Sequence, residues 1–83
     1  MCGIVAISAE TNVAGEIYDS LLMLQHRGQD AAGMVVCDSE GNLNSRKSKG
    51  YARDVFRQNH MDKLIGSYGI GHVRYPPESI TFP

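Results

Sequence analysis

The sequence predicts an α+β fold, and three observations carry that reading. Two short runs of apolar, largely β-branched residues, Gly3-Ile4-Val5-Ala6-Ile7 and Gly33-Met34-Val35-Val36-Cys37, have the composition of strands. Between them Ala14, Ile17, Tyr18, Leu21, Leu22 and Leu24 recur at steps of three and four, the period of an amphipathic helix of about three turns. After them Asp38-Ser39-Glu40-Gly41-Asn42 is a dense cluster of turn formers, which predicts a hairpin.

In chain order, residues 3–7 read as a strand buried on both faces, because no polar residue alternates with the apolar ones. Glu10-Thr11-Asn12 is a polar turn, with Thr11 or Asn12 available to cap the helix that starts at Val13. His26-Arg27-Gly28 ends that helix, with two basic-type side chains in its last turn and a glycine beyond. Residues 33–37 are a second buried strand, and the turn returns the chain through residues 43–48. Residues 51–56 and 60–65 read as short helical pieces, with Val55, Phe56, Met61, Leu64 and Ile65 facing a core. Gly66-Ser67 breaks the pattern, and residues 68–75 form a glycine-containing strand. Glycine weakens a strand, so Gly69 and Gly71 predict the close approach of another backbone or a ligand. Pro76-Pro77 stops the strand, and residues 78–83 form a loose tail.

Composition narrows the function by exclusion. With 83 residues the chain holds at most one domain, and a core of that size supplies only a few kcal/mol. Hydrophobic residues make up 42%, which excludes wholesale disorder. Eight basic and nine acidic side chains leave no electrostatic footprint for nucleic acid or an anionic membrane. Cys2 and Cys37 can form at most one bridge, and no Cys or His spacing matches a zinc site, which argues against a small metal or redox module. The apolar start lacks a basic leader and is too short for a signal-peptide core or a membrane span. A cytoplasmic location with reduced thiols is therefore expected.

Three constellations carry chemistry. Removal of Met1 before a small second residue would put Cys2 at the mature N-terminus, a few bonds from its own α-amine. That is a nucleophile with a built-in general base, since an α-amine of pKa about 7.7–8.0 is partly unprotonated at neutral pH. The competing reading of Cys2 is a small apolar residue opening a buried strand. In His26-Arg27-Gly28-Gln29-Asp30-Ala31-Ala32-Gly33, Arg27 and Asp30 could pair locally, or the run is a plain helix-to-strand turn. In Gly71-His72-Val73-Arg74-Tyr75-Pro76, Arg74 could hold a carboxylate bidentately, as suits an amino-acid substrate, or sit on a strand rim. His72 by itself reads as structural.

Taken together, Met1-Cys2-Gly3-Ile4-Val5, Leu24-Gln25-His26-Arg27-Gly28-Gln29-Asp30-Ala31-Ala32-Gly33 and Gly69-Ile70-Gly71-His72-Val73-Arg74-Tyr75-Pro76 closely resemble the amidophosphoribosyltransferase family. The resemblance is to the start of its class II, N-terminal-nucleophile glutamine amidotransferase domain. It covers residues 1–76, a partial domain, and leaves residues 77–83 as a divergent tail. It implies an αββα sandwich of two antiparallel sheets, of which this chain has strands for an incomplete version. It assigns Cys2 as the nucleophile that attacks the glutamine amide, Arg74 as the arginine that binds the substrate α-carboxylate, and Arg27 as an arginine near the cysteine. In the family, the released ammonia displaces pyrophosphate from phosphoribosyl pyrophosphate. The product, phosphoribosylamine, is the first of de novo purine synthesis.

The resemblance stops where the family pattern continues with Thr-Ala-Gly and this chain reads Pro77-Glu78-Ser79. Proline at 77 supplies neither the hydroxyl nor a backbone N–H to hold glutamine. The resemblance places the family's oxyanion hole and its amine-binding aspartate beyond residue 83. The phosphoribosyltransferase domain lies further on, so no cofactor is expected in this segment and the family's magnesium belongs to that domain. Loss of one oxyanion donor costs about 10²–10³ in rate, so the chain is expected to be inactive alone. The divergence points to a truncated gene product, an intron read-through or a frameshift. The alternative is a non-catalytic half-domain that associates with an intact homologue through exposed strand edges.

Overall fold

The computed structural model describes residues 3–25 and 29–75. Seven elements follow in order: β1 Gly3–Ser8, α1 Ala14–Leu24, β2 Ala31–Cys37, β3 Leu43–Lys49, α2 Ala52–Val55, α3 Gln58–Met61 and β4 Tyr68–Arg74. The strands form one antiparallel sheet in the order β1-β4-β2-β3. The result is a mixed helix and antiparallel-sheet fold with the helices gathered on one face. The three expected strands and the hairpin return are all present.

The pleat sorts the side chains. Val5, Gly71, Met34 and Arg46 are in register across the sheet, as are Ile7, Gly69, Val36 and Asn44. This face carries α1 over β1 and β4, and α2 over β2 and β3. The core holds Val13, Ile17, Leu21, Val36, Val55 and Val73, all essentially inaccessible. Tyr18 of α1 meets Phe56 edge-on, with ring centroids 6.1 Å apart. Gly71 is where α1 presses hardest: a Cβ there would lie 2.5 Å from Ile17 Cγ2 and 3.1 Å from Leu21 Cδ1. At Gly69 the same atom would lie 2.5 Å from the Val35 carbonyl oxygen. Both glycines thus answer to a close approach, by side chains of the helix at Gly71 and by neighbouring backbone at Gly69.

The opposite face is open. Its rows are Ile4, His72, Gly33 and Lys47; Ala6, Ile70, Val35 and Ser45; and Ser8, Tyr68, Cys37 and Leu43. Ile4 and Leu43 are 70% exposed, and Ile70 and Tyr68 about half exposed. The expectation that residues 3–7 are buried on both faces is therefore corrected. Burial alternates along β1, because helices cover one side of the sheet and nothing among the described residues covers the other.

Other local expectations also shift. Neither Thr11 nor Asn12 caps α1: the N-cap is Val13, without a side-chain bond, and Asn12 Oδ1 instead accepts the Gly66 N–H across the fold. The helix ends at Leu24 with Gln25 extended, so its last turn carries no basic residue, and the expected terminator, residues 26–28, lies outside the described residues. Tyr51 precedes α2 rather than joining it, and α3 starts at Gln58 and ends before Leu64. Leu64 still reaches the core, whereas Ile65 is half exposed. At the hairpin, Asp38 Oδ1 accepts the N–H groups of Glu40 and Asn42, and Gly41 takes a positive φ of 86°. Cys37 is a buried free thiol.

Candidate functional site

One end of the sheet gathers the segments that carry the three motifs. Gly3, the first residue of β1, pairs with Val73, and Arg74 ends β4 opposite Ala31. The Asp30 N–H donates to the Arg74 carbonyl at 2.9 Å, and the Tyr75 hydroxyl donates to the Leu24 carbonyl at 2.9 Å. A Cβ on Gly3 would lie 3.2 Å from both Leu24 Cβ and Val73 Cγ2, so the strand start, the helix end and the end of β4 are in tight contact. Cys2 and Arg27 lie outside the described residues. Gly3, the neighbour of Cys2, is at this end, and Gln25 and Gln29 flank residues 26–28 there.

Arg74 is half exposed, with Nε 3.9 Å from Asp30 Oδ1. That separation is an ion pair at its outer limit and too long for an N–H···O bond, so Asp30 does not engage the guanidinium fork bidentately. An exposed pair of this kind stabilises by about 0–1 kcal/mol. A carboxylate ligand could take the fork at little expense. His72 lies on the open face over Gly33, where a Cβ would come 2.8 Å from His72 Cε1, in keeping with a structural histidine.

Sequence reasoning passed over the residues that brace this end. Gln29 is 4% exposed, and its Nε2 donates to the Ala31 carbonyl at 2.9 Å and the Gly50 carbonyl at 2.6 Å. Gln25 Oε1 accepts the Ala52 N–H at 3.1 Å. Gly50 has φ 124°, a region comfortable for glycine alone, and its N–H donates to the Asp30 carbonyl at 2.7 Å. Among the described residues, Gln29 Oε1 and Asp30 Oδ1 are buried oxygens without a hydrogen-bond partner.

A cavity of about 620 Å³ lies between α1 and the α2–α3 segment and touches none of these residues. A second, about 340 Å³, lies on the open face beside His72, Gly33, Lys47 and Ile70. Among the described residues no group of three or more His, Cys, Asp or Glu side chains could hold a metal ion. No helix among them is long and apolar enough to cross a membrane.

No family model matches the chain. Amidophosphoribosyltransferase of Pseudomonas aeruginosa is 60% identical over 76 residues, which is 92% of this chain and 15% of that protein. The chain is homologous to the N-terminal domain of amidophosphoribosyltransferase. The enzymes of that name from Escherichia coli and Saccharomyces cerevisiae are 53% and 51% identical, again over 92% of this chain. It spans about 15% of the length of these relatives. Among solved structures, a glutamine phosphoribosylpyrophosphate amidotransferase from B. subtilis, complexed with ADP and GMP, superposes with a TM-score of 0.81 at 33% identity. That match covers 94% of this chain and 17% of the other. A structure described as the allosteric regulatory enzyme of purine biosynthesis gives a TM-score of 0.75 at 38% identity, covering 90% and 16%. The amidotransferase likeness thus extends from the motifs to the sheet and helices that present them.

Proposed function

We propose that these residues form the nucleophile-bearing part of a glutamine amidotransferase site, in the cytoplasm, serving the first step of de novo purine synthesis. The observation that carries the reading is the convergence at one sheet end: Gly3 against Val73, and Asp30 against Arg74. A peptide bond holds residue 2 within about 3.8 Å, Cα to Cα, of Gly3. With Met1 removed, the Cys2 α-amine takes the thiol proton and the thiolate attacks the side-chain amide carbonyl of glutamine. The C–N bond breaks, the amine returns its proton to the departing nitrogen, and a thioester and ammonia result. Water then cleaves the thioester to glutamate. Arg74, loosely held by Asp30, takes the substrate α-carboxylate, and Arg27 is assigned to the same site by the family resemblance alone.

Transfer of the ammonia to phosphoribosyl pyrophosphate belongs to the rest of the homologous enzymes, so sustained turnover is not expected of these 83 residues alone. The test is protection of the thiol. Millimolar glutamine should slow iodoacetamide modification of Cys2, read by peptide mass spectrometry, with no effect on the buried Cys37. Equal Cys2 rates with and without glutamine would sink the proposal. Measurable glutaminase activity lost in Cys2→Ala would instead show that the 83 residues suffice. The second reading, association with an intact homologue, draws on the open sheet face with Ile4 and Ile70 exposed. Co-purification with a full-length amidophosphoribosyltransferase would favour it.

A further inference from the structure

The two glutamines that flank the Arg27 segment are anchored to the same short stretch of chain. Gln25 accepts from the Ala52 N–H, and Gln29 donates to the Gly50 carbonyl, so residues 25 and 29 are pinned to positions two residues apart. Gly50 answers with its other backbone group, donating to the Asp30 carbonyl. Asp30 in turn donates its N–H to the Arg74 carbonyl. A chain of hydrogen bonds therefore runs from Gly50 through residues 29 and 30 to Arg74, while Gln25 closes the other side. The side chain of Gln29 is buried, whereas the Arg74 side chain it leads to is half exposed. That is the arrangement in which a rigid support holds a working group at the surface.

We infer that the Gln29 carboxamide, seated on Gly50, is a positioning device that sets Arg74, the arginine at the end of β4. It fixes Gly50, and through Gly50 and Asp30 the Arg74 strand end. This rests on the proposed glutamine site. Gln29 touches no substrate in the scheme. Both its amide N–H groups are needed, because they satisfy two carbonyls at once, Ala31 and Gly50. Gly50 must be glycine because its φ of 124° aims that carbonyl, and L side chains rarely adopt it.

The test uses the full chain with Gln29→Glu, which keeps the shape but replaces the donors with acceptors, and Gly50→Ala, which disturbs the same bond from the other side. Two readouts separate support from simple stability. The first is amide hydrogen exchange at Asp30 and Gly50, compared with Met34 and Val35 in the sheet centre. The second is alkylation of Cys2 by a glutamine-derived chloromethyl ketone, relative to alkylation by iodoacetamide. Both variants should speed exchange at Asp30 and Gly50 about tenfold or more and leave the sheet centre unchanged, since one buried hydrogen bond is worth about that factor. Both should lower the alkylation ratio by a similar factor through the glutamine reagent alone.

Unchanged exchange at Asp30 and Gly50, or exchange that rises equally across the sheet, would overturn the inference. So would altered exchange with an unchanged ratio above one. If the wild-type chain shows no preference for the glutamine reagent, the proposed site fails. The positioning role then fails with it, while local exchange still reports whether the clamp exists.

Discussion

The two faces of the sheet are made by the same four strands and are both largely apolar, yet among the described residues only one is covered. On the helix side Val5 and Ile7 alternate with Ile4 and Ala6 on the open side, so a run that reads as uniformly apolar is divided by the pleat. What separates the faces is where small residues stand. Gly71 admits Ile17 and Leu21 of α1, whereas Gly33, two positions from Val35, admits the His72 ring on the open face. The lesson is that apolar content marks a strand as able to be buried. The space beneath the facing element decides which side is.

That contrast can be broken experimentally. Leu21→Ala empties the core under α1 and should destabilise by about 2–5 kcal/mol in urea titration, a large share of the stability of so small a chain. Gly71→Ala pushes a methyl against Ile17 and should cost about 1–3 kcal/mol, measured the same way. On the open face Ile4→Thr keeps the branched strand geometry and should change stability by no more than about 0.5 kcal/mol. An effect at Ile4 as large as that at Leu21 would mean that the open face is packed in solution.

The smallest effect belongs to the hairpin. The Asn42 N–H, with help from that of Glu40, holds the Asp38 carboxyl below its ordinary value of 3.8. The folded form therefore binds its proton less readily than the unfolded chain. The stabilisation is present above that value and fades as pH falls below it. Asp38→Asn should flatten the acid limb of a stability–pH profile slightly, by a small loss of stability at neutral pH that vanishes at acid pH.

Much of the fold was legible. The helix period from Ala14 to Leu24 and the turn cluster at Asp38 to Asn42 depend on local chemistry, and both stand close to where the sequence puts them. Gly69 announced the close approach of another backbone, whereas at Gly71 the approach is by side chains of α1 and not by the expected backbone or ligand. The missing cover over Ile4 was not legible from the strand itself, because burial on a second face depends on elements elsewhere. Asn12 misled for a related reason: it is chemically a helix cap, but Gly66, distant in sequence, takes its oxygen. At the site, Arg74 stood out by type, while Gln29 and Gly50 did not. A glutamine carries no sequence mark of burial, and a glycine after Lys49 reads only as a turn.

The most direct test of the account concerns Arg74. The convergence of Gly3, Asp30 and Arg74 predicts that a glutamine-derived chloromethyl ketone labels Cys2 in preference to the same reagent lacking its α-carboxylate. Arg74→Ala should lower that preference by about 10- to 100-fold, the worth of a charged hydrogen-bonded contact, while the iodoacetamide rate stays the same. Equal labelling by the two ketones in the wild-type chain, or a preference untouched by Arg74→Ala, would contradict it.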